Sequence, residues 1–538
     1  MADDTVLTVL ALATAFMPSA GRLRTFGMPV TSTLLFLPLD ERFTTRDLTL
    51  NLARLAPQFN VLTPPPALLP LHKRAANPKT LMEWVEQRAA AADVLIASFE
   101  MIVYGGLIAS RVSNDSSAII TRRVNWLNAL PTRFPSLAVY LNSVVMRIPA
   151  YNGDFEEPWY YASYGRNLYE YSFHISRYRS LHNASDASAA AAAAKLVPPH
   201  VLSQFLWRRA RNFNASLIAL GRLQANRSAF AALYVTLDDG GAYGLNVDEA
   251  AALHSAAEKM GLPADRVKFY QGADEVGAVL LARAAAVLQH RQPRVRVVWR
   301  APNATGLIPA FESQPISRTV EQQLEAAGAT LVRDKHEPVD ILYLVNNFGS
   351  SQHEASEQQP RPPSDYAPFA PAINGSAAAV VAIADVRYAN GADASLVDWM
   401  TSQPALRSML GAFAYAGWNT DSNSNGCAAA NAVLLSLCGG ACGQGAANFT
   451  LLRLTEDLGY QVNVRPLLQR YLDLSGLVWT SLGTDLGFYE RFALRPLRQV
   501  ASQMADKLSL SPTAQPLHSV YFPWNRTFEI GLELNAQQ

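Results

Sequence analysis

The chain has 538 residues, of which 49% are hydrophobic and 17% are charged. This length exceeds the size at which one hydrophobic core stops growing, so two or more domains or one large barrel are expected. Lys and Arg number 45 against 44 Asp and Glu, so no field of one sign would attract nucleic acid or an anionic membrane. We find no apolar run long enough to cross a bilayer. The composition favours a small, largely neutral partner.

The amino terminus and the Asn-X-Ser/Thr sequons bear on location. Residues 1–30 include an apolar segment of signal-peptide length, Val6 to Met17, although Asp3 and Asp4 stand where positive charge is usual. The sequons exceed chance expectation and favour a secreted glycoprotein, with a cytoplasmic protein as the alternative. They lie at Asn114, Asn183, Asn214, Asn226, Asn303, Asn374, Asn448 and Asn525.

Three cysteines, Cys427, Cys438 and Cys442, exclude a disulfide-dense scaffold and permit one local disulfide. No histidine stands near them to complete a zinc site. A soft-metal centre is therefore not expected.

From residue 33 onward, apolar strands alternate with helical stretches, which is typical of crossover units in a parallel sheet. The first strands are predicted at 34–37, 59–62, 93–98 and 137–141, with helices near 46–55, 80–92 and 119–130. This first α/β domain is expected to span residues 31–150.

An aromatic and alanine-rich stretch, residues 151–230, predicts a helical insertion. Alternation then resumes in a second α/β region, 231–447, and a helical carboxyl-terminal region with a final strand covers 448–538. About eleven strands are too many for one eight-stranded barrel. We therefore predict two doubly wound, mainly parallel sheets, with an elaborated (β/α)8 barrel as the alternative.

Many of the predicted strands end on polar residues. Ligands bind beyond the carboxyl ends of strands in both open parallel sheets and barrels, so one polar site built from many strand ends is expected. The candidate ligand-binding residues are Asp40, Glu41, Arg42, Glu100, Tyr104, Arg111, Arg300, Asn346, Asn347, Asp385, Trp418 and Asn419.

Asp238 and Asp239 are the candidate catalytic residues. They follow a predicted strand and precede two glycines, which let a ligand approach the backbone. Two carboxyl groups in one site can differ in pKa, giving one proton donor and one anion, as glycoside cleavage requires. The alternative is an aspartate that caps the helix predicted near residues 248–260.

Two further clusters have both a functional and a structural interpretation. Trp418 and Asn419 could stack on and hydrogen-bond a sugar, or belong to a turn that caps the next helix. Asp40, Glu41 and Arg42 could orient a sugar hydroxyl, or form a salt bridge at a helix start. The chain has no GxSxG elbow and no HExxH motif, which argues against triad hydrolases and zincins.

Several of these segments resemble DUF4127, a family of unknown function. The resemblance rests on five stretches spread over most of the chain, although Phe43 and Thr44 replace the proline and small residue usual after the first motif. The stretches are 37–42, 104–111, 238–244, 384–393 and 414–420. The resemblance implies no established reaction.

The residues favour a glycoside hydrolase or related carbohydrate-active enzyme acting on a small hydroxyl-rich molecule or glycan, without a cofactor. One alternative is a metal-assisted hydrolase in which Asp40, Asp238, Asp239 and Asp385 bind Mg²⁺ or Ca²⁺. Another is a non-catalytic carbohydrate-binding protein.

Overall fold

A computed structural model describes residues 31–439, 442–510 and 517–534. The predicted signal segment lies outside these residues. The fold is mixed α/β with two large parallel sheets of six and five strands, as the alternation predicted. The strands are β1 (Ser32–Leu37), β2 (Phe59–Leu62), β3 (Val94–Ser98), β4 (Ala138–Val145), β5 (Ala232–Leu237), β6 (Val267–Gln271), β7 (Arg294–Trp299), β8 (Thr330–Leu331), β9 (Ile341–Asn347), β10 (His353–Glu354), β11 (Val380–Val386), β12 (Tyr388–Ala389), β13 (Phe413–Ala416), β14 (Leu517–Tyr521) and β15 (Gly531–Leu534).

Helices connect most of these strands, and two π-helical segments, Phe43–Asp47 and Thr455–Val464, continue directly into α-helices. The α-helices are α1 (Leu48–Ala53), α2 (Pro78–Ala89), α3 (Phe99–Tyr104), α4 (Leu107–Val112), α5 (Ser117–Arg133), α6 (Tyr161–Leu181), α7 (Ala184–Lys195), α8 (Pro199–Ala225), α9 (Leu245–Lys259), α10 (Val276–Leu288), α11 (Ile316–Ala327), α12 (Phe369–Asn374), α13 (Ala394–Ser402), α14 (Pro404–Ser408), α15 (Asp421–Cys438), α16 (Gly443–Leu454), α17 (Arg465–Leu474) and α18 (Leu486–Lys507).

Counted along the chain, the five strands of the second sheet follow the same order as the first five strands of the first sheet. The first runs β2-β1-β3-β4-β5-β6 and the second β8-β7-β9-β11-β13. In each, the second strand lies on one side of the first and the later strands on the other, which creates a switch point where ligands commonly bind. β5 and β6 follow the helical insertion yet belong to the first sheet, so the boundary predicted at residue 231 falls inside that sheet.

A layer of helices lies between the two sheets. Residues in β1 alternate in direction: Leu34 and Phe36 join the core shared with this layer, whereas Leu35 and Leu37 join a core on the opposite face. Helix α10 is apolar on almost every side because it packs against β3 and β4 of the first sheet and against α15. Helix α15 in turn packs on β11 and β13 of the second sheet. One continuous core therefore joins the two sheets.

The remaining helices cover the outer faces and the ends. Helices α6 to α8 form the predicted insertion with its own small apolar cluster. Strands β14 and β15 pair antiparallel near the carboxyl end. Cys427 and Cys442 are buried, and neither forms a disulfide within the described part of the chain. Among the described residues, none of the helices combines the length and apolar character needed to cross a membrane.

Candidate functional site

A polar cleft of about 220 Å³ lies beyond the carboxyl ends of β1, β4, β5 and β6. Residues that follow β12 and β13 of the second region, and a segment close to the carboxyl terminus, complete its wall. The lining residues are Arg42, Leu107, Arg111, Arg147, Tyr151, Glu156, Asp238, Asp239, Asp274, Phe311, Asn390, Asn419, Thr420, Asn423, Trp479, Arg526 and Phe528. Four arginines and four acidic residues thus face one small space.

Arg42 joins the ends of β1 and β6. It donates to both carboxylate oxygens of Asp40 at 2.8 to 3.0 Å and to both of Asp274 at 2.7 and 3.1 Å. Asp274 reaches Arg42 because the chain turns at Gly272, with φ of 143°, and helix α10 runs back over the sheet toward β3. Burial raises the pKa of Asp274 to about 7, and the Asp40 charge adds to this despite the opposing effect of Arg42.

The two candidate catalytic aspartates face different surroundings. Asp238 is 8% exposed and accepts a 2.5 Å hydrogen bond from Arg111. Asp239 accepts a 2.9 Å hydrogen bond from Arg147, and a third of its side chain (33%) is exposed. Burial and the neighbouring Asp238 charge raise the pKa of Asp239 to about 6.

The backbone at Asp239 explains how adjacent residues both reach the cleft. Its φ of 35° lies in the left-handed region, which non-glycine residues rarely adopt. The strained turn is held by Asn246, which donates to the Asp239 carbonyl at 3.0 Å, and by a 2.6 Å hydrogen bond from Gly240 N to the Phe311 carbonyl. Neither aspartate caps α9, whose N-cap is Gly244.

Glu156 is the electrostatic centre of the cleft. It accepts hydrogen bonds from Arg111 at 2.9 Å, Arg147 at 3.0 Å and Arg526. Burial alone would raise its pKa, but these three guanidinium groups hold the pKa of Glu156 well below its usual range. The adjacent Glu157 also accepts from Arg111 and Arg147. The arginines are thereby fixed in place by carboxylates behind and beside them.

The carboxyl-terminal segment completes the site. Arg526 donates to both oxygens of Glu529 at 2.9 and 2.8 Å and lies 4.6 Å above the ring of Trp524. The same ring lies 4.4 Å from the Arg42 guanidinium. Trp524 thus contacts two cleft arginines, which fixes this segment against the end of β1.

Five of the predicted residues meet in the cleft: Arg42, Arg111, Asp238, Asp239 and Asn419. Two others lie directly behind it. Asp40 supports Arg42, as described above. Glu41 accepts hydrogen bonds from Trp524 Nε1 and His72 N, each 2.7 Å long.

Glu100 and Tyr104 lie inside the protein, away from the cleft lining. Glu100 accepts from Val144 N at 2.9 Å and from Ser98 at 3.2 Å, and burial raises its pKa to about 7. The Tyr104 hydroxyl is buried without a hydrogen-bond partner in the described part of the chain. Both residues follow β3, where the helix turns them into the core.

Four predicted residues of the second sheet form internal contacts. Asp385 accepts from Asn346 at 2.8 Å, from the Tyr415 hydroxyl at 2.7 Å and from Asp393 N at 2.8 Å. Arg300 donates to the Asn347 carbonyl at 2.8 and 2.5 Å. None of these four residues lines the cleft.

Trp418 does not line the cleft, where the predicted stacking on a sugar would take place. It is 2% exposed, and the Arg453 guanidinium lies 5.8 Å from its ring. Arg453 is buried with Glu456 and Asp457 at the start of the second π-helical segment, and Asp457 accepts from Gly417 N at 2.7 Å. This π-helical segment covers the end of β13, and Trp418 is therefore buried.

The most important cleft residues that the sequence did not reveal are Arg147, Glu156, Asp274 and Arg526. Asp274 stands just before α10, where an aspartate is typically a helix cap, but the N-cap is Glu275 and its side chain makes no capping bond. Arg147 follows the end of β4 after one intervening residue, a signal of the same kind as the other strand ends. Glu156 and Arg526 follow no strand and carry no such signal.

The sequons are distributed over the surface. Six of the eight asparagines are exposed, whereas Asn448 and Asn525 are partly buried. Asn525 Nδ2 also donates to the Gly483 carbonyl at 3.1 Å, a bond that a glycan on this nitrogen would disturb.

In the described ranges, no group of three or more His, Cys, Asp and Glu side chains is arranged to hold a metal ion.

Comparisons with known proteins give one match. Searches of curated proteins and of solved structures find no similar protein. The model of a family described as a protein of unknown function, DUF4127, matches residues 34–533. The chain therefore belongs to the DUF4127 family, as the five sequence stretches indicated.

Proposed function

We propose that the protein is a carbohydrate-active hydrolase that cleaves a glycosidic bond in the cleft. The observation that carries this proposal is the pair of adjacent aspartates in the cleft: Asp238 pairs with Arg111 at 2.5 Å, and burial raises the pKa of Asp239 to about 6. Glycoside cleavage uses one carboxyl group that donates a proton and a second that is ionised.

The open oxygens of the pair suit this chemistry. Among the described residues, each aspartate uses Oδ2 for its arginine, and Oδ1 accepts no hydrogen bond. Protonated Asp239 would donate its proton to the glycosidic oxygen as the bond from that oxygen to the anomeric carbon breaks. Asp238 would stabilise the positive charge that develops on the sugar, and water would then add and return a proton to Asp239.

The lining favours a neutral, hydroxyl-rich ligand. Four arginines balance four acidic side chains, so neither an anion nor a cation is strongly preferred. Asn390, Asn419, Thr420 and Asn423 offer amide and hydroxyl groups, and Tyr151, Phe311, Trp479 and Phe528 supply rings of the kind that stack on sugars.

A second candidate is a non-catalytic carbohydrate-binding protein. The observation that favours it is the engagement of both aspartates by arginines, which would hold them as fixed hydrogen-bond acceptors. The same variants separate the two functions, because a binding protein has no turnover to lose.

The test is a screen of chromogenic glycosides with the wild type and with Asp239→Asn and Asp238→Asn. We expect turnover of at least one glycoside and a loss of roughly 100-fold or more in kcat/KM in either variant. Asp398→Asn, an exposed change away from the cleft, is the matched control. Equal turnover in all four proteins would refute the catalytic roles, and loss on adding a chelator would favour a metal-assisted reaction.

A further inference from the structure

Three aromatic side chains at the mouth of the cleft are unusually exposed. Tyr151, Phe311 and Trp479 are 51%, 46% and 44% exposed, although each also lines the cleft. They come from three separate parts of the chain. Apolar groups gathered at the edge of a polar cavity commonly mark a contact surface for a ligand.

Trp479 is held in place by specific backbone contacts. Its carbonyl accepts a 3.1 Å hydrogen bond from Thr527 N, and Leu482 N donates to the Asn525 carbonyl at 3.0 Å. The loop that carries it, residues 475–485, connects α17 to α18 and includes Gly476 and Gly483, whose φ values of 67° and 68° favour glycine. The contacts tie Trp479 to the segment that carries Arg526.

Phe311 is held in the same way against the turn at Asp239 and Gly240. Its carbonyl accepts the hydrogen bond from Gly240 N, immediately after Asp239, and its own φ is 65°. The two rings are thus positioned by segments that also supply charged groups to the cleft.

The cleft is too small for an extended ligand. Its volume of about 220 Å³ lies below the roughly 300 to 1,000 Å³ of pockets that enclose drug-sized molecules. One sugar ring is the unit that such a space accommodates beside Asp238 and Asp239. Any further rings of an oligosaccharide must lie outside, where the exposed aromatic residues are.

We infer that Trp479 forms an outer subsite that stacks on the second ring of an oligosaccharide, so that the protein acts on the terminal sugar of a chain. The inference rests on the proposed carbohydrate function and adds the mode of action. Stacking on a partly exposed indole would stabilise the second ring without contacting the bond-breaking groups, which makes Trp479 a specificity residue.

The test is calorimetric titration with gluco-, N-acetylgluco-, galacto- and manno-oligosaccharides of one to four units. Asp239→Asn is the parent protein, and Trp479→Ala and Trp479→Phe are introduced into it. We expect the series that binds to gain affinity from one unit to two. Trp479→Ala should reduce disaccharide affinity about tenfold and monosaccharide affinity much less, and Trp479→Phe should restore most of the loss. Trp207→Ala on α8, another partly exposed tryptophan, is the control.

The outcomes separate the inference from the function on which it rests. Equal affinity for one and two units, or an equal loss for both in Trp479→Ala, overturns the outer subsite while the carbohydrate function stands. No binding of any sugar overturns both. With the wild type, release of a monosaccharide first from a tetrasaccharide supports action on the chain end, and release of disaccharides first overturns it.

Discussion

The Arg147 guanidinium donates a 2.9 Å hydrogen bond to Oδ2 of Asp239, while its other nitrogens hold Glu156 and Glu157. Arg147 thus opposes the effects of burial and of Asp238, which raise the pKa of Asp239. This balance sets the pH range in which Asp239 carries a proton.

The first prediction concerns the pH dependence of turnover. A general acid is active while protonated, so kcat/KM should fall as the pH rises through about 6, the value to which the pKa of Asp239 is raised. Arg147→Gln should move this fall to higher pH by roughly one to three units, because an attractive charge is lost. A pH profile of the wild type and the variant checks this, with exposed Arg166→Gln as the control. An unmoved profile in Arg147→Gln would exclude Asp239 as the acid.

The second prediction concerns the stability of the charge cluster. Glu156→Gln leaves three buried guanidinium groups without their shared anion, so the free energy of unfolding should fall by about 3 kcal/mol. Urea denaturation measures the change. Glu170→Gln breaks an exposed pair with Arg166 and should change stability by less than about 1 kcal/mol. A similar loss of unfolding free energy in both variants would show that the cluster stabilises the protein no more than an exposed ion pair does.

The third prediction concerns Glu100. Because burial raises its folded-state pKa from 4.5 to about 7, the folded protein binds the proton more tightly than the unfolded chain does. This stabilising contribution is complete below about pH 4.5 and is lost as the pH rises through 7. Glu100→Gln keeps a neutral side chain and should make the free energy of unfolding less dependent on pH between 4.5 and 8, by up to about 3 kcal/mol. Thermal melts across this range measure the difference, with exposed Glu83→Gln as the control. An equal pH dependence in the wild type and in Glu100→Gln would contradict the raised pKa of Glu100.

The fourth prediction separates structural from functional aspartates. Asp385→Ala leaves Asn346 and the Tyr415 hydroxyl without their buried acceptor, which should lower stability by about 2 kcal/mol or more. Because Asp385 does not line the cleft, kcat/KM of the folded variant should stay within a few-fold of the wild type. Chemical denaturation and steady-state kinetics on the same preparation test both parts. A large loss of kcat/KM at unchanged stability would assign Asp385 to the site after all.

The sequence was informative where chemistry follows a strand directly. Apolar runs followed by Asp40 to Arg42 and by Asp238 and Asp239 predicted both the parallel sheets and part of the cleft. It failed where position depends on distant parts of the chain. Arg526 reaches the cleft only because Trp524 packs against Arg42, and Trp418 is buried only because a later π-helical segment covers it. No local pattern encodes either contact.

The shared strand order gives the molecule two corresponding switch points. The polar residues at these two positions make different contacts. At the first, Arg42 follows β1 and lines the cleft, whereas Glu100 follows β3 and lies in the interior. Between β7 and β9, Asn347 Nδ2 donates to the Ala301 carbonyl and Ala301 N donates to Asn347 Oδ1, both at 2.9 Å. This reciprocal pair of hydrogen bonds joins the ends of β7 and β9 at the switch point of the second sheet. The two sheets thus share a strand order but differ in their polar contacts: the first presents charged groups to a cleft, and the second uses the corresponding residues to join its own strand ends.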